Sequence, residues 1–170
     1  MMAIAEKPVE IRALQTRDLA RVIVIEAASY DFPWSAGVFA DCLSVGYYCR
    51  VLDLQGWPAA YAVLSVGAGE AHILNLTVSP EYRSQGLGRR LLRDFLGHCR
   101  SRSLGRIYLE VRPSNDAARV LYASEGFEPI GVRRQYYRSR RGREDAMVYA
   151  LDLDESAKRE PGADPRVRLV

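Results

Sequence analysis

The stretch that most limits what this 170-residue chain can fold into runs from Glu70 to Cys99. It begins with EAHILNLTV, a dense apolar run of the kind a buried central strand shows. Ser79-Pro80-Glu81-Tyr82-Arg83-Ser84-Gln85-Gly86-Leu87-Gly88 follows and opens a long amphipathic helix. Leu87, Leu91, Leu92, Phe95, Leu96 and Cys99 share one face of that helix. A helix start offers unpaired N–H groups and a partial positive charge, which suit a phosphate. Gly86 and Gly88 lack a Cβ and let a pyrophosphate approach the backbone, with Arg83, Arg89 and Arg90 close by. A Walker A loop would need a Lys here, and a Rossmann fingerprint a third Gly; both are missing.

The rest of the chain alternates strand and helix patterns only in its second half, which predicts a mixed α/β fold. Val9 to Ala13 alternates as a strand. Thr16 is placed to cap a helix in which Leu19, Val22, Ile23 and Ile25–Glu26 recur, dying out near Ser29. Asp31-Phe32-Pro33-Trp34-Ser35 is a break, and Ser35 a cap for a second helix through Val38, Phe39 and Leu43. Tyr47 to Leu52 and Ala59 to Val66 read as strands joined by a turn around Gln55-Gly56-Trp57-Pro58. Gly105 reads as the stop of the long helix. Arg106 to Val111 is a strand and Asn115 to Ser124 a short helix. Phe127 to Tyr137 and Asp145 to Leu153 are strands on either side of an Arg-rich connection.

Composition bounds the function classes. At 48% hydrophobic and 26% charged residues the chain can bury one domain-sized core. A net charge of +3 is small for a nucleic-acid binder, and direct nucleic-acid binding is not expected. The basic residues are nevertheless nearly all Arg, Lys7 and Lys158 being the exceptions. Six Arg fall between Arg133 and Arg143, either a binding patch or a solvated, Arg-biased surface. No signal-peptide pattern and no long apolar run occur, so a cytoplasmic protein with no membrane partner is expected. Cys42, Cys49 and Cys99 form no CxxC pair, which favours reduced structural thiols and no metal site.

A second motif stands at a fixed distance from the first. It reads Leu109-Glu110-Val111-Arg112-Pro113-Ser114-Asn115, then Leu121-Tyr122 and Gly126-Phe127. Together with Arg83-Ser84-Gln85-Gly86-Leu87-Gly88 it resembles the GNAT superfamily of N-acetyltransferases. Phe32-Pro33-Trp34-Ser35, Arg133-Arg134, Tyr136-Tyr137 and Gly142-Arg143-Glu144-Asp145 resemble its bacterial ribosomal-protein-alanine branch (RimI type). The resemblance covers residues 9 to 153 and implies a domain over 1–154, with 155–170 a flexible tail rich in charge and bearing Pro161, Gly162 and Pro165. It implies an α/β (α+β) fold: a mixed, mostly antiparallel sheet of six to seven strands flanked by about four helices.

The resemblance also implies acetyl-CoA as co-substrate. Backbone amides of Ser84, Gln85, Gly86, Leu87, Gly88 and Arg89 would hold its pyrophosphate. Leu76, Thr77 and Val78 would pair with the pantetheine arm, an N–H near Val78 would meet the oxyanion, and Asn115 would bond the pantetheine as well as cap its helix. Glu110 would act as general base; from the residues alone it could equally be the partner of an Arg such as Arg112. Tyr122 lies seven residues after Asn115, two turns along one helical face. It would be the general acid toward the departing thiolate, where spacing alone allows a plain core aromatic.

An N-terminal α-amine, with a pKa of about 7.7–8.0, is partly neutral at physiological pH and can attack the thioester directly. The acceptor groove would draw on Trp34, Tyr137 and Glu144, with Glu144 or Asp145 attracting a cationic N-terminus. The acceptor so implied is the N-terminal alanine of a ribosomal protein. A small-molecule amine is the alternative, and a ribosome- or RNA-binding module with lost catalysis a third.

Overall fold

In the computed structural model the described residues are 9–153, so the expected tail and the first eight residues lie outside them. Seven strands form one sheet in the order β1-β2-β3-β4-β5-β7-β6. They are β1 (Val9–Ala13), β2 (Tyr48–Leu54), β3 (Trp57–Gly67), β4 (Glu70–Val78), β5 (Arg106–Val111), β6 (Glu128–Ser139) and β7 (Gly142–Asp152). Only β4 and β5 run parallel. The helices are α1 (Leu19–Ser29), α2 (Ala36–Val45), α3 (Leu87–Ser101) and α4 (Asp116–Ser124). The mixed, mostly antiparallel sheet with four helices is the architecture the sequence implied.

Two apolar layers sandwich the sheet. Alternation along β2 and β3 sends Val51, Tyr61 and Val63 toward α1 and α2, where they meet Val22, Ile25 and Phe39. The opposite face sends Leu52, Ala60, Ala62 and Leu64 toward Leu91, Leu92 and Phe95 of α3. β3 is therefore buried on both faces, which explains its unbroken apolar run. Cys42, Cys49 and Cys99 are free, buried thiols within these layers. Among the described residues no helix is long and apolar enough to cross a membrane.

Four local readings are corrected. Thr16 does not cap α1; a single 3-10 turn over Thr16–Asp18 precedes the helix. Asp18 is buried there because Arg12 reaches it at 2.8 Å and Asp53 at 2.7 Å, pinning the helix start to β1 and β2. Gly105 is not the left-handed stop of α3. Ser103 takes that conformation (φ 53°), and the N–H of Gly105 instead donates to the Gly69 carbonyl at 2.9 Å. The Arg-rich connection is mostly strand. Ser139 pairs with Gly142, so only Arg140 and Arg141 turn the corner of the β6–β7 hairpin. The turn before β3 is likewise only Gln55-Gly56, both left-handed (φ 56° and 84°), the geometry of a tight hairpin.

Candidate active site

One extra residue opens the sheet. In the β3–β4 register Val63 faces Asn75 but Leu64 faces Ile73, which leaves Leu74 as a bulge. A bulge bends its strand and increases the twist. β4 pairs with β5 only from Glu70 to Ile73, and beyond the bulge the two strands part. Asn75 to Val78 keep β3 on one side and have no strand on the other. α4 and the loops that follow α1 and β5 border the resulting cleft.

The cleft holds two joined cavities. One, of about 560 Å³, is lined by Leu76, Thr77 and Val78, by the turn from Arg83 to Arg89, and by α4. The other, of about 180 Å³, is lined by Glu26, Trp34, Asn75, Glu110 and Tyr137 among others. Tyr30, Leu76, Asn115, Ala118 and Tyr122 line both and mark where they meet.

The larger cavity ends on the start of α3. The first backbone bond there runs from Arg90 N–H to the Gly86 carbonyl at 3.1 Å, so Leu87, Gly88 and Arg89 have no helical acceptor for theirs. Ser84 and Gly86 are left-handed (φ 59° and 78°), which curls the turn so that successive N–H groups face one hollow. Gly88 packs closely: a Cβ there would sit 3.5 Å from both Leu121 and Val78 side-chain carbons. Gly86 has open space around it, so its requirement is conformational. Gly86→Ala should destabilise the fold by about 1–2 kcal/mol. That is roughly 2–4 °C of melting temperature per kcal/mol for a chain of this size, readable by calorimetry. The Arg89 side chain leaves the hollow for Glu125 and Ser124 of α4, and Arg83 bonds the Val78 carbonyl and Ser29.

Asn115 caps α4: its Oδ1 accepts the Ala118 N–H at 3.2 Å, and its amide nitrogen remains for a ligand in either cavity. Tyr122 is 7% exposed and packs against Phe127. Burial first, then the neighbouring Tyr30 and Tyr137 hydroxyls, push its phenol above the ordinary range, so it stays protonated at neutral pH. Glu110 lines the smaller cavity and pairs with Arg133 at 3.3 Å, not with Arg112. Arg112 instead pairs with Glu144 at 3.1 Å and lies over the Tyr137 ring at 4.3 Å.

Trp34 is both wall and packing residue, with its ring 5.4 Å from that of Phe39. Glu144 and Gln85 are the expected site residues that neither cavity includes. Gln85 lies within the turn between the lining residues Ser84 and Gly86. The case of Glu144 has a clear cause. Its carboxylate is spent on Arg112 and on the Ser114 N–H at 3.1 Å, which hold it below the usual carboxylate range. The Arg-rich hairpin likewise turns inward. Arg140 pairs with Asp31, Arg138 covers the Phe32 ring, and Arg143 donates to the Gln135 carbonyl. Three of the six Arg thus fasten the hairpin to the α1–α2 loop or to its own bulge.

Among the lining residues that sequence did not single out as site residues are Tyr30, Glu26 and Asn75. Two of them carried a signal. Glu26 is a charge on the apolar stripe of α1, and Asn75 a polar residue inside an apolar strand. Glu26 is 2% exposed. It accepts the Trp34 N–H at 2.8 Å, the Asn75 amide at 3.3 Å and the Tyr61 hydroxyl.

Comparison with known proteins agrees with this geometry. Residues 12–127 match the model of the acetyltransferase (GNAT) family. The chain is 41% identical over 143 residues to the [ribosomal protein bS18]-alanine N-acetyltransferase of Escherichia coli K12, covering 84% of this chain and 97% of that protein. It is 38% identical over 139 residues to the N-alpha-acetyltransferase RimI of Mycobacterium tuberculosis, covering 78% and 86%. The crystal structure of the E. coli ribosomal-protein-S18-alanine N-acetyltransferase superposes with a TM-score of 0.81 at 36% identity, covering 95% of this chain and all of that one.

Proposed function

The chain belongs to the acetyltransferase (GNAT) family and is an N-acetyltransferase, and we propose that its acceptor is the N-terminal amine of a protein, most simply the alanine of a ribosomal protein. The observation that carries this is the meeting of two cavities of different character at Tyr122. The larger, with its hollow of N–H groups at the α3 start, suits the pyrophosphate and pantetheine of acetyl-CoA. The smaller, walled by Trp34 and Tyr137 and bearing carboxylates, suits a short cationic segment.

The amine attacks the acetyl carbonyl directly in a ternary complex, with Glu110 taking the proton that the amine loses and Tyr122 donating to the departing thiolate. Leu76, Thr77 and Val78 run along the donor, an N–H near Val78 faces the oxyanion, and Asn115 bonds the pantetheine. The expected catalytic domain, 1–154, takes in the described residues 9–153. Buried free thiols and an acceptor on the ribosome fit a cytoplasmic enzyme. The test is release of free CoA thiol from acetyl-CoA in the presence of peptides with alanine at the N-terminus. Turnover with such peptides and none with free polyamines is expected; the reverse pattern would overturn the protein-acceptor assignment.

A further inference from the structure

The smaller cavity contains a carboxylate that the reaction as described does not use. Glu26 reaches it from α1 and is almost wholly buried. Its described partners are a backbone N–H, an amide and a phenol, all uncharged. Among the described residues no Lys or Arg pairs with it, whereas Glu110, the other carboxylate lining this cavity, has Arg133. A buried carboxylate without a counter-charge is costly, and three neutral donors offset only part of that cost. A cationic ligand would supply the remainder.

Its three donors also come from different elements: Tyr61 from β3, Asn75 from just beyond the β4 bulge, and Trp34 from the α1–α2 loop. Asn75 is held in turn by Thr77 at 2.8 Å, and Thr77 by Tyr30 at 2.7 Å. The carboxylate is thus fixed in the wall of the cavity, and the cavity continues to Tyr122.

We propose that Glu26 is the anchor for the acceptor's α-ammonium group, binding it on entry and setting it opposite the thioester. This rests on the assignment of an N-terminal amine as acceptor. It leaves proton removal and thiolate protonation to Glu110 and Tyr122, and makes Glu26 a binding residue of the acceptor site. The titratable groups lining the same cavity are Tyr30, Glu110, Arg112, Tyr122 and Tyr137, and Tyr61 touches Glu26 from behind it. The phenols of Tyr30, Tyr61, Tyr122 and Tyr137 are all pushed up by burial and stay neutral below pH 9. An ammonium ion with a pKa of about 7.7–8.0 is therefore the group whose charge changes across that range.

The experiment compares binding of two peptides to the enzyme saturated with CoA: one beginning with alanine, and the same peptide with the α-amine replaced by hydrogen. At pH 6.5 the wild type should prefer the amine by on the order of 10–100-fold, the size of a charge-assisted hydrogen bond. The preference should shrink toward pH 9.5 as the amine loses its proton. Glu26→Gln keeps the shape and should abolish both the preference and its pH dependence, with CoA affinity unchanged; a merely structural loss would weaken both peptides alike and leave the preference intact.

Glu110→Gln should keep the preference. Should Glu26→Gln not fold, Glu110→Gln decides alone, because a lost preference there assigns the amine to Glu110 and overturns the proposal. A wild type that acetylates the peptide while Glu26→Gln retains the full preference overturns the Glu26 role and leaves the acceptor assignment standing. A wild type that neither binds nor acetylates the peptide overturns both.

Discussion

Replacing Tyr122 by Phe is expected to lower kcat by about 10²–10⁴-fold, the range a positioned proton donor supplies, with acetyl-CoA affinity nearly unchanged. The ring stays against Phe127, so packing is preserved and only the hydroxyl is lost. Tyr122 stands where both cavities meet, and in the proposed reaction its hydroxyl serves the departing thiolate there. Because burial raises its pKa, the phenol keeps its proton as pH rises through 10, the ordinary tyrosine value. Wild-type kcat should accordingly show no alkaline fall up to that pH. Steady-state kinetics with separate measurement of acetyl-CoA binding checks both statements. Unchanged turnover in Tyr122→Phe would leave it a core aromatic.

Glu110→Gln is expected to lower turnover at pH 7 by about 10²-fold or more, again with little change in acetyl-CoA binding. The sign of its pH dependence separates a base from a structural ion pair. Below pH 7.5 most of the acceptor is ammonium, and the variant lacks the group that takes its proton. Above pH 8.5 solvent already supplies neutral amine, so the deficit should narrow. A structural carboxylate would give a deficit that pH does not move. Stability should change by less than about 1 kcal/mol, because the pair with Arg133 is half exposed and such pairs contribute little. Rate profiles from pH 6 to 9.5 alongside thermal melts distinguish these outcomes.

The donor cavity was legible in sequence because it is made of local pattern. Residues 76 to 89 are consecutive, and their strand, turn and helix signals each have a direct physical basis in periodicity, glycine placement and helix-end polarity. Asn115 and Tyr122 could be read for the same reason, being two turns apart on one short helix. The acceptor cavity was legible only in part, because it is assembled from distant segments. Trp34 and Tyr137 do line one cavity, but the Glu144 charge expected there is already met by Arg112. Only the fold brings that Arg to it from 32 positions away. Glu26 was passed over because its helical neighbours Val22 and Ile25 made the stripe look complete. The bulge at Leu74 has no side-chain signature at all, since it consists in a mismatch of register between two apolar strands.

The way the two cavities join bears on how this kind of enzyme can change its acceptor. Donor handling is confined to one uninterrupted stretch in the middle of the chain and the helix beside it. In the proposed reading acceptor handling is spread over α1, the α1–α2 loop, the ends of β4 and β5 and the last hairpin, and five residues line both cavities. Substitutions in the outer segments can therefore alter which amine is chosen while the use of the acyl donor stays intact. Drift in the shared residues would damage both at once. Selectivity and chemistry are, in that sense, separately heritable.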